Sequence, residues 1–162
     1  MIKAKYTVKD FLPLILIGGA ILLFSIFLTF CFNNNLMFGM RMFMGGFFMV
    51  FGLLKASKLT SFVEAYQTYD LVAKRSKAYA YIYPFIEIGL GLLYFTWVAP
   101  VFTLITTIIL MTISAVGVYL KLKKHEVVMC ACLGTVFKVP MTCVTLAENV
   151  LMVMMAIAML VT

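Results

Sequence analysis

Charge and histidine are what this sequence has least of. Only 12% of its 162 residues are charged, six of them acidic, and His125 is the one histidine. A hydrolytic site made of nucleophile, general base and orienting acid therefore has no visible set of parts. Long basic tracts are also missing. The net charge of +7 is spread over short clusters beside apolar runs, where Lys and Arg orient a chain in a bilayer, so a nucleic-acid surface is not implied. The ten-residue segments of alternating polarity that build a membrane β-barrel do not occur either.

Apolar residues are abundant: 65% of the chain is hydrophobic and the mean hydropathy is +1.12. Long, continuous apolar stretches define an all-α integral membrane protein, a single transmembrane domain over residues 1–162. Five spans are expected, at about residues 11–32, 36–56, 78–97, 100–120 and 144–162. The opening MIKAKYTVKD resembles the basic start of a signal peptide. The apolar run behind it is long and lacks a small-x-small cleavage site, so it reads as a retained first helix.

The connections between spans are of two kinds. Asn33-Asn34-Asn35 and the turn at Trp97–Pro100 are short and nearly uncharged, whereas residues 57–77 and 121–142 are long and basic. With five spans, twelve of the thirteen Lys and Arg residues fall on one side and only Arg41 on the other. The positive-inside tendency then puts the N-terminus and the 121–142 loop in the cytoplasm of a bacterial inner membrane. Within the first basic loop, Phe62, Val63, Tyr66 and Leu71 predict a short amphipathic helix over 62–73 on the membrane surface, with Ser61 and Glu64 at capping-box spacing.

Chemistry has few places to reside. Cys130 and Cys132 form a Cys-x-Cys pair ahead of Gly134 in the second basic loop. Two thiols at that spacing either chelate a soft metal ion or cycle between dithiol and disulfide. Cys143 enters the last span and can join a metal set, while Cys31 at the far end of the first span reads as a small buried hydrophobe, and His125 as a solvated loop residue. Glu87 lies near the middle of the third span, on one helical face with Tyr83 and Gly91. A carboxyl at that depth is a functional candidate, as a proton relay or a cation ligand. Glu148 stands three residues after Thr145, the spacing of a helix cap, and Arg41 either snorkels to the interface or pairs with Glu87. The thirteen methionines suit gap-filling in an apolar core, or a path for Cu(I). Glycines at 45, 46, 52, 89 and 91 are those that favour close helix packing in lipid.

The order of these features is similar to that of the MauE/DoxX group of small bacterial membrane proteins over about residues 40–160. The likeness rests on a Gly-rich helix ending in Leu54-Lys55, a surface segment with Tyr69, the run Pro84-x-x-Glu87-x-x-x-Gly91, and Cys130-x-Cys132-x-Gly134 before a final helix. The resemblance implies a four-helix core preceded by an added helix, and a redox-associated role like that of MauE in maturing a disulfide-rich periplasmic enzyme. Cys130 and Cys132 would then be the redox pair, Glu87 the carboxylate of the Pro84-x-x-Glu87 motif and Gly134 the turn glycine. Glu148-Asn149 departs from the Arg-Asn expected at that point of the last helix.

Two activities and a scaffold role stay open. Thiol–disulfide chemistry at Cys130 and Cys132 would need a quinone or a thioredoxin-like partner, since disulfides are rare in the cytosol. Soft-metal handling would use Cys130, Cys132 and Cys143 as thiolates for Cu(I) or Hg(II) delivered by a metallochaperone-like protein. The orientation has its own check. A membrane-impermeant thiol reagent is expected to label Cys130 and Cys132 only after cells are permeabilised, and labelling of intact cells would reverse the assignment.

Overall fold

The computed structural model describes residues 8–32, 35–124 and 143–161. Within them the chain is helical throughout: α1 (Val8–Phe32), α2 (Leu36–Ser57), α3 (Leu59–Tyr66), α4 (Lys77–Thr96), α5 (Pro100–Lys123) and α6 (Cys143–Val161). Among the described residues, α1, α2, α4 and α5 are long and apolar enough to cross a membrane, and α6 is a shorter apolar helix. The chain is thus an all-α membrane protein, as its composition requires.

Local chemistry sets the helix ends. Asn35 accepts a hydrogen bond from the Met37 amide (3.0 Å) and starts α2, and Ser76 accepts from the Tyr79 amide (3.3 Å) and starts α4. Trp97 closes α4 in the left-handed region (φ 57°), its amide donating to the Leu93 carbonyl at 2.8 Å. Pro100, whose fixed φ suits a first helical turn, then opens α5. α1 runs antiparallel to α2, as the contacts of Thr29 with Gly39 and Ile21 with Gly46 show, and α2 antiparallel to α4, as those of Gly45 with Gly91 and Gly52 with Ile88 show. Tyr94 joins α4 to Thr107 of α5, and Asn149 joins α6 to Ser114 of α5.

Glycine sets the central pair. A methyl group added at Gly91 would lie 2.9 Å from the Met49 nitrogen and 3.1 Å from the Gly45 oxygen, and one at Gly52 would lie 3.1 Å from both the Ile88 nitrogen and the Pro84 oxygen. α2 and α4 therefore touch backbone to backbone, the approach that small residues permit in lipid. Phe48 stacks on Tyr94 within this contact (5.9 Å between ring centres). α1 packs along α2 through Leu14 and Ile21 against Phe51, and leaves Leu16, Leu23, Phe27 and Phe30 exposed to the hydrocarbon.

The short helix of the first basic loop starts and ends earlier than the 62–73 predicted from its pattern. α3 ends at Tyr66 and turns follow to residue 75. Ser61 sits inside it and caps nothing, because Lys58 holds the N-cap position without a side-chain hydrogen bond. Its apolar face is turned into the bundle, with Phe62, Val63 and Tyr66 at most 4% exposed. The turn that follows is fixed by Asp70, which accepts from the Tyr66 hydroxyl (2.9 Å) and from the amides of Val72 (2.9 Å) and Ala73 (2.8 Å). It rests on α5 at Gly117, where a methyl group would meet the Tyr69 oxygen at 2.7 Å.

Replacing Gly91 with Ala is expected to lower stability by about 1–3 kcal/mol through forced separation of backbones. Gly18→Ala, facing open space, is expected to change it by less than about 0.5 kcal/mol. Thermal unfolding midpoints of the two variants in lipid nanodiscs provide the comparison.

Candidate functional site

The face of α2 that carries Phe48, Phe51 and Gly52 carries Lys55 next, three residues beyond the last close-packed glycine. Glu87 stands four residues before Gly91 on the facing side of α4. The backbone contact thus brings a lysine and a glutamate together inside the bundle. Lys55 Nζ donates to Glu87 Oε1, with the two side chains 9% and 1% exposed. Glu87 is ten residues from the start of α4, about 15 Å along the helix axis.

Aromatic rings enclose the ammonium. Lys55 Nζ lies 5.1 Å from the Tyr83 ring centre and 5.9 Å from that of Phe62, within cation–π range. Tyr66 packs on Tyr83 (4.6 Å) and Phe62 (5.0 Å). Burial, reinforced by Tyr83 and Asp70, holds the Tyr66 hydroxyl well above the usual phenol range. It therefore remains a donor to Asp70 across the physiological pH range.

A small cavity of about 30 Å³ opens beside the pair, lined by Lys55, Glu87, Tyr66, Tyr69, Tyr83, Ser114, Thr145, Glu148 and Asn149. The volume accommodates one or two waters. Glu148 reaches it from α6 and lies within electrostatic reach of Lys55, and Asn149 Nδ2 donates to Ser114 Oγ at 3.4 Å. The second oxygen of Glu87, Oε2, is buried without a hydrogen-bond partner. α2, α3, α4, α5 and α6 all contribute to this lining.

The family model of the methylamine utilisation protein MauE matches residues 33–162. The chain belongs to the MauE family. No curated protein and no solved structure matches it. The MauE match takes in α2 to α6, and so every residue of the cavity lining, while α1 precedes it. Family membership agrees with a multi-pass membrane protein.

The sequence-derived candidates of this MauE member fare differently. Glu87 is buried on one face with Tyr83 and Gly91, as its spacing indicates. Its partner is Lys55 and not Arg41, whose guanidinium lies over the rings of Phe38 (5.1 Å) and Trp97 (5.3 Å) at the other end of the bundle. Thr145 and Glu148 are internal to α6, which begins at Cys143, so Glu148 belongs to the cavity and not to a helix cap. Cys31 is a free, exposed thiol and not the buried hydrophobe expected. Cys130, Cys132, His125 and Gly134 lie outside the described residues. Among the described residues no group of three His, Cys, Asp or Glu is placed to hold a metal ion.

Lys55 is the site residue that the sequence places at the end of the second span, beside a basic loop, without marking it as functional. Its position three, four and seven residues after Gly52, Phe51 and Phe48 is the signal that places it on the buried face. A double-mutant cycle on Lys55→Met and Glu87→Leu is expected to return a coupling of about 0.5–3 kcal/mol. Strictly additive losses of stability would show that the two groups do not depend on each other.

Proposed function

We propose that this MauE-family protein supports thiol–disulfide chemistry of partner proteins, with Cys130 and Cys132 as the exchanging pair. The observation that carries the reading is the Cys-x-Cys pair in the sequence between α5 and α6 of a chain of this family. The family's description ties it to methylamine utilisation, which is the setting we infer for the partner.

The chemistry is a two-electron exchange. Cys130 and Cys132 as thiols lose two electrons and two protons to form one S–S bond, and an acceptor takes both. A membrane quinone is an acceptor of the right class, becoming the quinol, and the disulfide of a thioredoxin-like protein accepts the same electrons when one thiol attacks it and the other resolves the mixed disulfide, leaving that protein as a dithiol. Glu87, held by Lys55, is a buried ionisable group of the same bundle. Its role is to take up or return a proton as the thiols change state.

The test uses the purified full chain in nanodiscs, reduced and then mixed with a soluble quinone analogue. Loss of two thiols per quinol formed is expected, and Cys130→Ser or Cys132→Ser should abolish it at least about 100-fold, since either change removes the intramolecular partner. Thiols that persist in the presence of the analogue and of a thioredoxin-like disulfide would overturn the proposal. If they also bound Cu(I), metal handling would replace it.

A further inference from the structure

The cavity holds one ammonium and two carboxyl groups, and that count has a chemical consequence. Were all three ionised, an uncompensated negative charge would sit in a low-dielectric interior, which disfavours that state. Water cannot dilute it from the other side. Glu148 also borders an apolar groove lined by Ile15, Gly18, Leu22 and Phe43, which a bilayer fills with hydrocarbon. The remaining titratable groups facing the carboxyls are the hydroxyls of Tyr66, Tyr69 and Tyr83, from α3, its following turn and α4, with Tyr79 of α4 packed behind Tyr83 and within electrostatic reach of Glu87. α5 contributes uncharged Met111 and Ser114, and α1 adds no titratable side chain to this lining.

Glu87 Oε2 is buried, unpartnered and beside space for a water molecule. A buried carboxylate oxygen is normally satisfied; the space beside this one has room for a water and is bordered by the second carboxyl and by the hydroxyls of Tyr66, Tyr69 and Tyr83. We propose that the cavity is an intramembrane proton site in which Glu87 and Glu148 share one exchangeable proton through bound water, with Lys55 balancing the remaining negative charge. The site is neutral when loaded with one proton. It accepts or releases that proton to the basic end of the bundle, and this holds whether or not Cys130 and Cys132 exchange disulfides.

Infrared difference spectra of the full chain in nanodiscs provide the test, read at the carbonyl stretch of a protonated carboxylic acid at neutral pH. The wild-type protein should show one such carboxyl per chain, shifting on transfer to D₂O. Glu148→Gln and Glu87→Gln should each abolish the band, because the remaining carboxylate pairs with Lys55. Lys55→Met should raise it to about twice the wild-type intensity, since both carboxyls are then neutral. Glu148→Gln is nearly isosteric at a half-buried position, so it reports even if the Lys55 variant fails to fold. No band in the wild-type protein, a band unchanged in Glu148→Gln, or one that resists D₂O would overturn the proposal.

Discussion

A lysine ammonium held against a glutamate in the apolar interior is the interaction around which this bundle is organised. Neither group would be tolerated alone at that position, because an isolated charge in hydrocarbon has no compensating solvent. Each helix near the pair supplies something that makes burial tolerable. α3 brings the Phe62 ring, α4 brings Tyr83, and α5 and α6 bring the hydroxyls and amide that border the cavity. The glycines of α2 and α4 act earlier in the chain of causes, since without their close approach Lys55 Nζ and Glu87 would not meet.

Much of this was legible in the sequence, for definite reasons. Long apolar runs have one stable form in lipid, so the spans and their ends follow from length and from Asn35, Trp97 and Pro100. Glu87 is conspicuous because a carboxyl in such a run is costly, and its face with Tyr83 and Gly91 follows from helical periodicity. Its partner was less legible. Lys55 stands beside a basic loop, where a long charged side chain ordinarily reaches water, and only the tertiary contact of α2 with α4 turns it inward. Glu148 was hidden in the same way, because Thr-x-x-Glu reads as a cap until the helix is seen to begin at Cys143.

α3 illustrates how amphipathic pattern and environment part company. Its aromatic face is what a surface-lying helix would present to lipid, yet the same face is what a bundle needs to roof a buried cation. Pattern specifies that Phe62, Val63 and Tyr66 leave water, not where they go. The choice is made by Asp70, whose three hydrogen bonds close the turn behind α3, and by Gly117, which lets the Tyr69 carbonyl rest on α5. A buried carboxylate in a turn and one glycine of α5 thus fix where the apolar face of α3 goes.

The helix ahead of the family match has a consequence for the outer surface of the bundle. Among the described residues α2 to α6 contain three helices long and apolar enough to cross a membrane and the shorter α6, and α1 adds a fourth long one. It seats Leu14 and Ile21 against Phe51 of α2 and turns Leu16, Leu23, Phe27 and Phe30 outward. The side of α2 that would otherwise meet lipid is thereby exchanged for the outer face of an added helix.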